Sequence, residues 1–524
     1  MRGEMTDGQT GGEQKKKWIW YGALLLVFLG QFAVAVYFGG RKAGFHEDEY
    51  YSFYSTNRTA GLYEPDREWL DRESIRNEFV VRRGEGFRYG LVAQVQSWDV
   101  HPPFYYFLLH TASSLFPETF SKWIGIGVNL VAFSISFLLF TWLAFMVTKE
   151  NRPLTLLAAA AYGFDSIVIS GVLFIRMYEW LTVFVLLCAC LHVRAMRSGD
   201  RRARTFWLPL AATCYLGFLT QYYYLIFMFF MGVGFCIWQL RTDRKPAGCI
   251  RYAVCCGLSL LLAVCSYPAC LSHILRGYRG TEAVSAFING ANTWERLRFF
   301  AGLMNEYLFD GHLIFLLCLI AVMGVPAVYL AGRERKKDPA AAENRTDRAF
   351  GDPSCFLLLL FAAGGYFVVV SKTALLLYET SNRYQLPVYG IVLLLVIITL
   401  YGLGVKIAHR LGLSRRVKAV ALCSLAAGFL LGDVHGLMTG RVIFLYEEDA
   451  AGLEYARAHA ELPVMVLYND ATPWHVWWRS QELLQYDRLY FASEANKEEI
   501  EDGTIRACEK LIVYAADYDR LSES

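Results

Sequence analysis

The chain has 524 residues, 55% of them hydrophobic and only 19% charged, against roughly 25% charged in an ordinary soluble domain. A mean hydropathy of +0.30 and a net charge of only +3 give no sign of a nucleic-acid partner and point to a membrane protein. Twelve of the thirteen cysteines lie in or beside apolar segments, which argues against a disulfide framework and reads as small membrane hydrophobes.

The first element in chain order is a polar tail, residues 1–17, ending in Lys15, Lys16 and Lys17. About twenty apolar residues follow, from Trp18 to Phe38, too long for a cleaved signal and long enough to cross about 30 Å of hydrocarbon as a retained anchor. Further apolar runs lie near 123–147, 153–173, 177–196, 206–220, 222–240, 250–271, 313–331, 354–371, 386–405 and 418–437, giving about eleven spanning helices. The stretch 206–240 is split at TQYYY, 220–224, because 35 helical residues would overrun a bilayer.

Basic residues test this count, since short cytoplasmic loops collect Lys and Arg. Alternation from a cytoplasmic N-terminus puts TKENR (148–152), RSGDRRAR (197–204), RTDRKPAGCIR (241–251), GRERKK (332–337) and KIAHRLGLSRRVK (406–418) on one side. The other side receives a first loop at 39–122, a loop near 272–312, SKTALLLYETSNRYQLP at 371–387, and the tail from 438. The domains expected are therefore a tail at 1–17, a transmembrane domain at 18–437 that includes the first loop, and a small extracytoplasmic α/β domain at 438–524. In that last part, strands at 463–468, 488–493 and 510–516 alternate with helices near 447–460, 473–484 and 497–501. At under 90 residues it is expected to lean on the membrane domain.

Two strings in the first loop carry candidate chemistry. FHEDEYYSFYS (45–55) sets Glu47, Asp48 and Glu49 just past the first span, and WDVHPPFYYFLLH (98–110) sets Asp99 and His101 ahead of a stiff Pro102–Pro103 turn. Three acids in a row usually face water, yet charge beside a bilayer needs solvent, a partner or a ligand. The Tyr50, Tyr51, Tyr105 and Tyr106 rings fit a sugar-facing wall or an ordinary interfacial aromatic belt.

An Asp-Glu pair after the first helix, followed by DxHPPxYY before a second apolar segment, resembles the dolichyl-phosphate-mannose protein mannosyltransferase-like family. That is the bacterial family 39 type of GT-C membrane glycosyltransferases, and the resemblance runs from about residue 18 to 405. WDVHPP is its most specific string. FIRMYEWL (174–181) resembles the family's Arg-x-Tyr segment, and SNRYQLP (381–387) its late Arg-Tyr segment; TQYYY departs from the Thr-His-Tyr of many relatives and offers Gln221 instead.

The resemblance implies a polytopic α-helical membrane protein of GT-C type that moves a sugar from a polyprenyl-phosphate donor to a glycolipid, polysaccharide or protein acceptor on the outer side of a bacterial plasma membrane. Asp48 is then the expected base, with Glu49 holding the acceptor or a metal. Asp99, His101, Arg176, Tyr178, Gln221, Arg383 and Tyr384 are expected to bind substrates. Arg383, then Arg176, is preferred for the donor phosphate because a guanidinium matches phosphate oxygens bidentately. No metal is expected; if Mg²⁺ or Mn²⁺ is used, Asp48, Glu49 and His101 are the hard donors available. The competing class is a flippase of a lipid-linked sugar, which would place ionisable residues inside the spans. There Asp165 and Glu179 are the chief exceptions to a nearly charge-free interior.

Overall fold

The computed structural model describes residues 7–58, 65–337, 352–410, 415–493, 495 and 500–516. Among them, eight helices are long and apolar enough to cross a membrane: Gln14–Arg41, Lys122–Val147, Tyr178–Ser198, Tyr224–Asp243, Ala247–Ser266, Pro353–Thr373, Leu386–Ala408 and Ala419–Met438. Two bent pairs raise the number to ten, Arg152–Phe164 with Ser166–Leu173 at 52° and Thr293–Leu308 with Leu313–Pro326 at 91°. The chain is a multi-pass helical membrane protein. The eleventh expected run, 206–220, folds as a π-helical turn, Ala203–Trp207, that continues without a break into the helix Leu208–Thr220; the sheet shared by β1 of the first loop and the tail strands needs this crossing too, because loop and tail must lie on one side of the membrane.

The break in the first bent pair has a local cause. Asp165 is extended (ψ 133°) and its Oδ1 accepts the Ile167 N–H at 2.9 Å, so the carboxylate caps the second half-helix where the backbone ladder is interrupted. Glu179, the other charge anticipated inside a span, is fully buried and accepts the Ser136 hydroxyl at 2.9 Å.

The chain divides into two compact units. One carries Met1–Tyr37, Leu130–Val172 and Met177–Ile443; the other carries Phe38–Asn129, Leu173–Arg176 and Phe444–Ser524. The second unit holds a four-stranded sheet in the order β1-β3-β2-β4, with β1 at Glu68–Leu70, β2 at Val464–Tyr468, β3 at Leu489–Ser493 and β4 at Ile512–Ala516. β2 lies parallel to both β3 and β4. β1 comes from the first loop and pairs antiparallel with β3, Glu68 opposite Phe491.

The three tail strands thus form where their β-rich runs predict. The tail leans on the first loop, which supplies the edge strand that periodicity alone does not reveal in a three-residue segment. The expected helix near 497–501 falls mostly outside the described residues; the short helix Gly503–Arg506 follows it.

Aromatic side chains bind the loop part of this unit to the tail. Phe79 stacks on Phe120 at 4.7 Å between centroids, and Phe53 meets the same ring edge-on at 5.1 Å. Trp477 of the tail lies 4.6 Å from Tyr54 and 5.0 Å from Tyr51, on the helix that carries the acid cluster. That cluster is therefore seated on a packed aromatic core.

Candidate active site

FHEDEYY folds as the start of the helix Glu47–Asn57. His46 is its N-cap: the ring Nδ1 accepts the Asp48 N–H at 3.0 Å, while Glu49 Oε2 accepts the His46 N–H at 2.6 Å. This reciprocal capping satisfies two orphan donors. It also puts Glu47, Asp48 and Glu49 in the first turn, where the helix dipole favours negative charge. The three acids then diverge in environment.

Glu49 turns inward and is fully buried. Its Oε2 accepts from Lys42 Nζ at 2.9 Å and its Oε1 from the Ile175 N–H at 2.8 Å. Lys42 also donates to the Phe444 carbonyl at 2.6 Å. Burial pushes the Glu49 carboxyl up while Lys42 and the backbone donors pull it down, and burial prevails. Burial likewise lowers Lys42 against the pull of Glu49. With both oxygens taken and no exposed surface, Glu49 ties three chain segments together and offers nothing to a substrate.

Asp48 keeps 28% of its side chain exposed, enough for an oxygen to be reached from solvent. The Arg176 guanidinium orients it, with Nη2 3.7 Å from Asp48 Oδ1 and Nη1 donating to the Asp48 carbonyl at 3.3 Å. Arg176 is itself nearly buried, and Nη1 donates further to Ser52 Oγ at 3.2 Å and to the Tyr106 hydroxyl oxygen at 3.0 Å.

WDVHPP joins this network directly. Asp99 ends the helix Tyr89–Trp98, and Pro103 opens the helix Phe104–Leu115. Between them His101 presents Nε2 to Arg176 Nη2 at 3.1 Å and Nδ1 to Asp99 Oδ2 at 2.7 Å. Since Arg176 can only donate, Nε2 must accept, so the proton sits on Nδ1 and points at Asp99. Burial works to raise the Asp99 carboxyl, but the His101 ring hydrogen-bonded to it and the Arg176 guanidinium outweigh it and hold it at about 2.

Asp48, Asp99, His101 and Arg176 are thus brought into one connected site. Tyr50, Tyr105 and Tyr106 are almost wholly buried in the loop core; among these three, Tyr106 reaches the site through Arg176. The donor set suggested for a divalent cation does not fit, since Glu49 is spent on Lys42 and backbone N–H groups and His101 is committed at both nitrogens. Among the described residues no three His, Cys, Asp or Glu side chains are arranged to hold a metal ion.

The remaining expected site residues lie in the other unit, and Tyr178, Arg383 and Tyr384 form their own cluster there. In the 3₁₀ turn Tyr378–Tyr384, Asn382 Oδ1 accepts the Tyr389 hydroxyl at 2.8 Å, which fixes the turn against the helix Leu386–Arg410. Arg383, 5% exposed, donates to the Tyr384 hydroxyl at 3.2 Å. The Tyr384 ring is met edge-on by Tyr178 at 5.7 Å and by Tyr223 at 6.0 Å. Arg279 pairs with Glu282 at 3.2 Å. Gln221 accepts the Tyr222 N–H at 2.7 Å with its own side chain, a local turn bond apart from this cluster of rings.

Two crystal structures of ArnT from Cupriavidus metallidurans are similar to this chain. The one bound to undecaprenyl phosphate has 13% identity and a TM-score of 0.49 and covers 91% of either chain. The apo state has 15% identity and a TM-score of 0.44, covering 90% of this chain and 88% of that one. The oligosaccharyltransferase of Archaeoglobus fulgidus in complex with zinc and sulfate has 12% identity and a TM-score of 0.43, covering 90% of this chain and 62% of its own. No family profile and no curated protein matches the chain.

Lys42 and Ser52 were not anticipated as members of the site. A signal for the first was present: a histidine three residues before Glu49 reads as a capping pair, which would have marked Glu49 as structural and left its charge needing a nearby cation.

Proposed function

We propose that the chain is a GT-C type glycosyltransferase that moves a sugar from a polyprenyl-phosphate donor to an acceptor on the outer side of a bacterial plasma membrane, with the N-terminus cytoplasmic. Asp48 is the base: it takes the acceptor hydroxyl proton as that oxygen attacks the anomeric carbon, and the sugar–phosphate bond breaks to leave polyprenyl phosphate. Arg383 and Tyr384 hold the donor phosphate, with Tyr178 and Tyr223 beside them. Arg176, His101 and Asp99 position Asp48, and Glu49 anchors its helix from below.

The observation that carries this reading is the Asp48–Arg176–His101–Asp99 network. It unites the Asp-Glu and DxHPP strings of the resemblance around the one carboxylate of the pair that remains accessible, and a candidate base must be reachable before its basicity matters. The test is Asp48→Asn in the full chain in membranes, assayed for sugar transfer from polyprenyl-phosphate donors. A loss of at least 100-fold with unchanged folding is expected; near-normal turnover sinks the assignment.

A further inference from the structure

The last span, Ala419–Met438, carries Asp433 within its apolar length, five residues from its C-terminal end. A carboxylate at that depth is costly and survives where it faces a cavity or a partner. Asp433 is 9% exposed, and its Oδ2 is buried without a hydrogen-bond partner. It lines a cavity of about 620 Å³ that Asp165 and Asp310 also line, all within the span-bearing unit.

The cationic groups of this cavity are unevenly placed. Asp310 is paired with Arg441, and its Oδ1 lies 2.9 Å from His435 Nδ1. Arg441 is further committed to the Glu306 carbonyl at 2.8 Å. His312 also lies 3.9 Å from Asp310, so both histidines and the guanidinium gather at that one carboxylate, while Asp165 and Asp433 have no cationic partner among the described residues. Much of the remaining lining is hydrocarbon, contributed by Phe315, Leu316, Leu319, Leu425 and Phe429. Gly428, Gly432 and Gly436, at four-residue spacing along the last span, also line the space, and a Cβ added at Gly428 would meet nothing within 4 Å. The space thus combines an apolar lining with two carboxylates, Asp165 and Asp433, that no cation pairs among the described residues.

We infer that this cavity binds an amphiphile bearing a primary ammonium group, the ammonium seated against Asp433 and Asp165 and the hydrocarbon tail along the Phe315–Leu319 wall. The two carboxylates select a cation, the apolar lining selects a chain attached to it, and neither a free metal ion nor a neutral lipid meets both. A metal is disfavoured further because no three acidic or histidine side chains here converge to coordinate one. Such an amphiphile is either an amine-headed bilayer lipid or a free long-chain amine. The site is built from other residues than Asp48, Arg176 and Arg383, so it stands whether or not the proposed transfer is confirmed.

The test uses the full chain in a neutral maltoside detergent, with thermal unfolding and calorimetric titration of dodecylamine against dodecanol. Saturable binding of dodecylamine and at least tenfold weaker binding of dodecanol are expected. Asp433→Asn should weaken the amine at least tenfold and leave dodecanol unchanged. Gly428→Trp, which fills the cavity from a position with open space, should abolish amine binding and guards against a misfolded Asp433→Asn. In nanodiscs, a higher unfolding temperature in ethanolamine-headed than in choline-headed lipid of the same chains assigns the amine to the bilayer. A response to dodecylamine alone assigns it to a free amine. Equal binding of dodecanol and dodecylamine, or wild-type amine binding by Gly428→Trp, overturns the inference.

Discussion

The Arg176 guanidinium donates to His101 Nε2 at 3.1 Å, and through that bond one string of the first loop is made to steer the other. His101 is in turn held by Asp99 at 2.7 Å, and the same guanidinium reaches Asp48. Orientation of the proposed base is thus set by a residue 128 positions downstream.

Arg176→Lys should break this arrangement while keeping the charge, since an ammonium cannot serve Asp48, Ser52, Tyr106 and His101 from one planar fork. Sugar transfer is expected to fall roughly 10- to 100-fold, in the range that misplacement of a reacting group costs. Comparing kcat for Arg176→Lys with that for wild type in the same membranes checks it, and an unchanged kcat removes Arg176 from the positioning network.

The pH dependence follows from Asp99. Its carboxyl is lowered from 3.8 to about 2 in the folded protein, so its stabilising contribution is fully present above pH 4 and is lost as pH falls through 2. A shift of nearly two units corresponds to roughly 2 kcal/mol at most. The unfolding temperature of the detergent-solubilised protein should therefore drop between pH 4 and pH 2 more steeply than that of Asp99→Asn. Parallel curves would show that the carboxylate is not the group being titrated.

Lys42 and Glu49 form an ion pair with both side chains fully buried. Removing one partner leaves an uncompensated charge and is expected to cost about 3–5 kcal/mol. Glu49→Gln and Lys42→Met should each lower the unfolding temperature sharply. The two substitutions together should lose less than the sum, because no lone charge remains and the amide oxygen introduced by Glu49→Gln can still accept a backbone N–H. Simple additivity in this double-mutant cycle would deny the coupling.

Trp477, 6% exposed, packs on Tyr51 and Tyr54 of the helix that bears Asp48. Trp477→Ala should destabilise by about 3–5 kcal/mol, as large aromatic truncations do, and should loosen that helix. Limited proteolysis within residues 45–58 is the readout; cleavage at the wild-type rate would separate the tail from the site.

The proposed orientation puts Cys508 outside. In sealed cells an impermeant maleimide should label the wild type and not Cys508→Ser. Labelling that appears only after permeabilisation would reverse the orientation read from the basic loops.

Membrane character was legible residue by residue, because crossing hydrocarbon demands long apolar runs whatever their neighbours. The tail strands were legible for a similar reason: PVMVLY, RLYFAS and KLIVYAA are β-rich and bounded by breaking residues. Where length ran short, as at 206–220, or a polar residue stood in a run, as at Asp165, the pattern could not say whether a helix spans or breaks.

The candidate site was only partly legible. Asp48, Asp99, His101 and Arg176 carry motifs that single them out. Glu49 was expected to hold the acceptor or a metal beside Asp48, because adjacent acids look alike until the helix turns one inward. One turn advances about 100° per residue, so consecutive side chains meet different surroundings. That rotation buries Glu49 against Lys42 and leaves Asp48 reachable.

By itself the sequence determined which segments can enter a bilayer and which residues can carry the chemistry, since both are properties of local composition. Only the tertiary structure decided that Arg176 would organise the two first-loop strings. Only it decided that β1 would be lent to the tail's sheet and that Asp433 would face a cavity with no cationic partner among the described residues. Each of these depends on contacts between residues far apart in the chain, whose cost in loop entropy and return in burial no local pattern records.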